Sequence, residues 1–184
     1  RDQGATAWRV RGQVDLADIP GSTMEGTVGG YYEEKEAGYS SLYDQVYTDK
    51  RIWGAFADVD LTDTLTTKLT YDDFSDDDGQ IKRDGTASIS WQMDEYWKVS
   101  FGVSYRELMS PLAKGAGKRG YDGKRFDAGV RVDYKHSDDV ELYAFGQGTL
   151  GRSGDIDRND RLGVGAKVRL TDKIGAEAEV SYGT

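Results

Sequence analysis

The sequence predicts an all-β fold, an up-and-down antiparallel meander closing as a β-barrel of about ten strands, and three observations predict it. Apolar residues recur at every second position in one segment after another, with no stretch of period 3.6. Connections between these segments alternate between three residues and many. Glycine is abundant (24 of 184 residues) and proline scarce (2), which places small residues inside strands on a crowded face rather than in loops. Residues 1–184 read as one β-barrel domain, with the abrupt start at Arg1 and the end at Val180-Ser181-Tyr182-Gly183-Thr184 suggesting a segment of a larger barrel or a trimmed chain.

Taken in order, the alternating sets begin with Trp8-Val10-Gly12-Val14-Leu16 and Met24-Gly26-Val28-Gly30-Tyr32, which have the least contrast. Trp53-Ala55-Ala57-Val59-Leu61 and Leu65-Thr67-Leu69-Tyr71 follow, then Ala87-Ile89-Trp91-Met93 and Trp97-Val99-Phe101-Val103-Tyr105. The last four are Phe126-Ala128-Val130-Val132-Tyr134, Val140-Leu142-Ala144, Leu162-Val164-Ala166-Val168-Leu170 and Ile174-Ala176-Ala178-Val180-Tyr182. Between these positions lie Gly, Ser, Lys, Arg, Asp and Glu. Each segment therefore presents one apolar and one polar face, as a period-two strand must.

The connections fix the register. Apolar residues of neighbouring segments share number parity, so keeping them on one face requires a loop of odd length. Thr62-Asp63-Thr64, Asp94-Glu95-Tyr96, Ser137-Asp138-Asp139 and Thr171-Asp172-Lys173 each supply three residues with an acidic one at the centre. The resulting pairing puts Asp58 opposite Lys68, Lys135 opposite Glu141 and Lys167 opposite Glu177, three opposite-charge pairs that parity was not chosen to produce. Residues 33–50, 72–84, 107–124 and 147–159 read as long polar loops at the other end.

Composition removes several function classes. Lys plus Arg is 24 against 33 Asp plus Glu, a net charge of −9, which argues against nucleic acid as a partner. Twelve tyrosines are too many for a disordered acidic chain. No apolar run is long enough for a membrane-crossing helix. Cysteine is absent and His136 is the single histidine, so disulfide scaffolds and thiol nucleophiles are excluded and most zinc sites with them.

Period-two alternation alone leaves open which face meets water: a soluble barrel hides its apolar face, a membrane barrel exposes it. Trp97 and Tyr105, like Phe126 and Tyr134, stand eight residues apart, roughly 27 Å along a strand. Tilted by about 40° this projects to about 20 Å, near the spacing of the two aromatic girdles of a bilayer-spanning barrel. Together with the paired charges of the polar face and the short-turn, long-loop asymmetry, segments such as Trp97–Arg106 and Arg161–Gly183 and the turns at Leu61–Asp63 and Leu170–Asp172 resemble the outer-membrane β-barrels of Gram-negative bacteria. The resemblance is architectural and spans nearly the whole chain. The terminal aromatic of such barrels is missing here.

That resemblance implies a transmembrane barrel in the bacterial outer membrane, non-enzymatic, serving as a channel or membrane anchor. Its partners are membrane lipids and lipopolysaccharide, with further strands or chains completing the barrel, and no cofactor. The girdle residues are then Trp53, Tyr71, Trp91, Trp97, Tyr105, Phe126, Tyr134 and Tyr182. The polar face, lining the lumen, carries Asp58, Lys68, Arg131, Asp133, Lys135, Glu141, Lys167, Arg169, Glu177 and Glu179. The alternative is a soluble, lipocalin-like barrel binding a small apolar ligand inside.

Four other features read as structural rather than chemical. His136 sits at the mouth of a three-residue turn. Asp155-Ile156-Asp157-Arg158-Asn159-Asp160 begins like a calcium loop but lacks the glycine at the sixth position and ends on Ala166 where Glu is needed. Tyr71–Gly79 is an acidic run suited to charge repulsion. Gly115-Ala116-Gly117-Lys118 lacks phosphate-loop spacing and leaves a basic loop with Lys114, Lys118, Arg119 and Lys124, suited to anionic headgroups.

Overall fold

A computed structural model describes residues 4–42, 44–111 and 122–183. Among these residues ten strands form one antiparallel sheet, paired strictly in chain order from β1 to β10, and a 3-10 turn lies at Leu16–Asp18. The strands are β1 (Ala7–Asp15), β2 (Glu25–Lys35), β3 (Lys50–Thr62), β4 (Leu65–Asp76), β5 (Ile81–Gln92), β6 (Trp97–Met109), β7 (Gly123–Ser137), β8 (Val140–Gly154), β9 (Arg161–Thr171) and β10 (Ile174–Gly183). The meander is the one the alternation predicts. β1 and β10 form the two edges of an open sheet. The loops at Lys114, Gly115–Lys118 and Arg119 fall outside the described residues.

The predicted register holds at all three charged hairpins: Asp58 faces Lys68, Lys135 faces Glu141, and Glu177 faces Lys167. What closes the short turns is their first residue rather than the central acid. The Thr62 hydroxyl accepts the Thr64 amide, and Thr171 accepts Lys173 and Ile174. Ser137 accepts Asp139, while the Asp94 carboxylate accepts the amides of Tyr96 and Trp97 at 2.8 Å each. Side chains that mimic a backbone turn in this way let three residues reverse the chain without glycine. Bulges at Asp60/Thr62, Lys135/Ser137 and Ile174/Gly175 absorb the odd residue in three of the four hairpins.

The opposite ends differ from the sequence expectation. β4 runs to Asp76, β5 begins at Ile81 and β8 runs to Gly154, so most of 72–84 and 147–159 is strand. Residues in those extensions are mostly polar on both faces, and the ladder continues because its hydrogen bonds belong to the backbone and ask nothing of the side chains. A four-residue turn remains at 77–80, where Gly79 takes φ of 79°, a conformation other residues rarely adopt.

Burial is inverted relative to a soluble sheet. Among the described residues, the buried hydrophobics are Val46, Val59, Tyr143 and Ile156, of which Val46 and Ile156 lie in loops. The buried polar residues are Asp73, Glu107, Asp127, Asp133 and Thr149. Many of the large apolar side chains of the alternating sets are exposed, Phe101 at 59 % and Val180 at 77 % among them, and most of the others are half-buried, with Val59 covered.

Candidate functional site

The polar face is built by the residues that alternate with the exposed apolar set. At the short-turn end it borders an open concavity of about 1360 Å³, lined from β5 through β10. Seven of the ten predicted polar-face residues line it: Arg131, Asp133, Lys135, Glu141, Lys167, Arg169 and Glu177. Asp58 and Lys68 form a separate exposed pair at 2.7 Å on β3 and β4, and Glu179 lies next to the concavity, bound by Arg161 at 2.6 Å.

Neighbours in the ladder are not always partners in charge. Lys135 turns to Asp138 at 2.6 Å, which frees Glu141 to take Lys167 from β9 at 2.9 Å and Arg131 at 3.8 Å. Arg131 also holds Asp133 at 2.7 Å on its own strand. The charges thus form a connected net over β7, β8 and β9 rather than isolated rungs. Most of its members are a third to a half exposed, so each pair contributes little by itself.

At its centre is Tyr143, which the sequence reading passes over. The Arg131 guanidinium lies 3.8 Å from its ring centroid. Its hydroxyl sits 2.9 Å from Glu177 and 3.1 Å from Glu179, two strands away. The ring crosses β9 above Gly165, its register partner. Phe145 crosses over Gly163 in the same manner, with the Arg161 guanidinium 5.3 Å from its ring. On the other half of the sheet, Tyr31 spans Gly54 to reach the Asp72 carboxylate, and Phe56 covers Gly29. Each ring fills the space that a Cβ on the facing glycine would take. This is the crowded face that high glycine content implies, and its residues are legible in hindsight from parity: Tyr143 and Phe145 share odd numbers with Glu141 rather than even numbers with Leu142 and Ala144.

A second buried group lies toward the long-loop end. The Asp127 carboxylate receives Thr149 at 2.7 Å, Arg125 at 2.8 Å, Asn159 at 3.3 Å and Ser104 at 3.4 Å. Four donors on one carboxylate hold the ion in place and explain why a buried charge is tolerated here. The 155–160 loop is thereby tied down: Arg125 also donates to the Asp157 carbonyl, and Ile156 is buried. Of the calcium-loop candidates, Asp160 is bound by Arg158 at 2.5 Å and by the Thr149 amide at 2.7 Å, and Asn159 serves Asp127. Among the described residues no group of three or more metal-ligating side chains is disposed around one point.

The Arg158 guanidinium, and after it the Thr149 amide, hold the Asp160 carboxyl below the usual carboxylate range. A depressed folded-state value stabilises the loop above the ordinary Asp range of about 3.9 and loses that contribution as pH falls through the lower folded value. Amide protection factors in 155–160 are therefore expected to be level at neutral pH and to fall below about pH 4, and Asp160→Asn should remove the pH step. A step that persists in the variant would assign it to another group.

The predicted girdle residues all share the apolar face. Trp53, Tyr71, Tyr105 and Phe126 form a row at the long-loop end, joined by Trp8 and Tyr32, with Trp53 and Tyr71 centroids 5.0 Å apart and Trp8 and Tyr32 at 5.1 Å. Trp91, Trp97 and Tyr134 form the opposite row, Trp97 and Tyr134 being 4.7 Å apart. Tyr182 belongs to neither. Its partners run through Leu162 and Gly146 to Val130, at mid-height. His136 is exposed at the end of β7, near the Tyr134 ring. No protein-family model matches the chain, and no curated protein matches its sequence.

Proposed function

We propose that this chain forms the wall of an outer-membrane β-barrel, with its apolar face against lipid and its charged face lining an aqueous lumen that conducts small ions. One observation carries the reading: Trp, Phe, Val and Leu stand exposed on one face of the strands, while the other face covers Asp127, Asp133, Thr149 and the hydrogen-bonded Tyr143. In water that arrangement leaves a large apolar surface unpaired. In a bilayer the same surface is matched to its solvent, and a sheet whose edges are closed satisfies every backbone group. Two aromatic rows bounding the apolar band, and short turns opposite longer loops, support the same reading. The role is that of a pore or anchor, without catalysis, in the outer membrane of a Gram-negative bacterium.

The test is dilution from urea with and without detergent micelles, read by circular dichroism and by gel mobility of unheated and boiled samples. β signal and a heat-modifiable band appearing only with micelles are expected. Folding as a monomer in plain buffer would overturn the proposal in favour of a soluble sheet. Conductance in planar bilayers follows. The lining of the concavity carries six cationic side chains and seven carboxylates, nearly balanced. Selectivity set by ring charge should then be weak, and a reversal potential near zero is expected under a salt gradient.

A further inference from the structure

Three copies of one local pattern remain unused by the reading above: Tyr32-Glu33-Glu34, Tyr71-Asp72-Asp73 and Tyr105-Arg106-Glu107, on alternate strands β2, β4 and β6. Period two puts each tyrosine and the acid two residues later on the same face, here the apolar one. Each tyrosine hydroxyl approaches its acid, at 3.5, 3.3 and 2.9 Å respectively. The acids in turn hold cations from the strands between: Arg83 bridges Asp73 at 2.7 Å and Glu107 at 3.1 Å, Lys124 meets Glu107 at 3.1 Å, and Arg51 stands 4.0 Å from Glu34. The result is a belt of alternating charge across six strands, one step beyond the long-loop aromatic row.

The belt is not neutral toward its surroundings. Asp73 and Glu107 are covered by the tyrosines and by their partners, whereas the Lys124 and Arg51 side chains are 57 % and 61 % exposed. Two of the three acids are held inward and Glu34 is 38 % exposed, so the cations are the more outward charges along the line where the apolar face stops. Resting on the membrane reading, we infer that this belt is a contact surface for phosphate-bearing lipid headgroups, with Arg51 and Lys124 as the phosphate-facing cations and the Tyr-x-acid units holding them at headgroup depth. The charge complementarity and the continuity with the apolar band both select lipid phosphate as the occupant.

The experiment uses tryptophan quenching in vesicles of brominated lipids. In a Trp8→Phe, Trp91→Phe, Trp97→Phe background the remaining Trp53 sits just below the belt and reports its lipid neighbours; where that background fails to fold, a Trp91→Phe, Trp97→Phe chain keeps only Trp8 and Trp53, both in the long-loop row. Brominated phosphatidic acid is expected to outcompete brominated phosphatidylcholine at this site by about fivefold for each cation, the factor that about 1 kcal/mol per surface Lys or Arg represents. Arg51→Gln with Lys124→Gln should bring the ratio near one, and Arg51→Lys with Lys124→Arg should restore it. Equal quenching by both lipids in every variant would overturn the belt while leaving the membrane reading intact. Relief of the preference by inorganic phosphate at constant ionic strength would overturn it in favour of a free-anion site. Absence of quenching by either lipid, with folding in buffer, would remove the membrane reading itself.

Discussion

Val130→Arg is expected to lower the stability of the lipid-embedded protein by about 2–4 kcal/mol, the cost of a cation near the bilayer midplane of a barrel. Val130 pairs with Phe101 on one side and Gly146 on the other, at the middle of the apolar face, and is 40 % exposed. Its exposure makes the substitution informative. On a water-facing surface the change would fall within about 0.5 kcal/mol, because an exposed long side chain disturbs no packing. The two environments thus give answers several-fold apart for one and the same residue. Urea unfolding from vesicles, with wild type and variant extrapolated by the same slope, measures the difference. A shift of less than about 0.5 kcal/mol would place Val130 in water and remove the lipid face from the account.

How much of this was legible follows from where the alternation is clean. The alternation is cleanest in the middle of the sheet, broken on the polar face by the rings of Phe56, Tyr143 and Phe145, and parity alone gives the pairing of Asp58 with Lys68, Lys135 with Glu141 and Lys167 with Glu177. Beyond the long-loop row the pattern breaks, because Asp73, Arg83, Glu107 and Lys124 occupy positions that are apolar lower down. Those residues read as loop from the sequence, and the strand ends are misplaced for that reason. Ion-pair choice was also illegible: a lysine side chain is long enough to reach a diagonal neighbour or a turn residue, so Lys135 chooses Asp138 over the Glu141 directly opposite. Register constrains Cα atoms, and charge then selects among several partners within reach. The aromatic–glycine contacts sit between these cases, announced by composition and parity but resolved only by the three-dimensional register.

Those contacts carry the second large effect. Gly165→Val is expected to destabilise the folded protein by about 1–3 kcal/mol, and more where Tyr143 is forced out of its place. A Cβ at residue 165 would overlap the Tyr143 ring and hydroxyl and lie 2.8 Å from the Ala178 carbonyl. The ring has little room to yield, since the Arg131 guanidinium packs on it and Glu177 and Glu179 hold its hydroxyl. Displacing it leaves two carboxylates of β10 without that donor and loosens the edge strand along with the wall of the concavity. Gly12→Ala supplies the control. A Cβ there meets nothing within 4 Å, and replacing a strand glycine by alanine should be neutral or stabilising by about 0.5–1 kcal/mol. Tyr143→Phe separates the two parts of the loss: it keeps the ring over Gly165 and removes the hydroxyl, so it should cost only about 0.5–1.5 kcal/mol, because Glu177 and Glu179 are exposed and Arg161 still holds Glu179. Unfolding midpoints of the three variants, measured in the same detergent, decide the matter. If Gly165→Val and Gly12→Ala shift the midpoint alike, glycine on the polar face is a matter of backbone freedom, and the rings do not need the space it leaves.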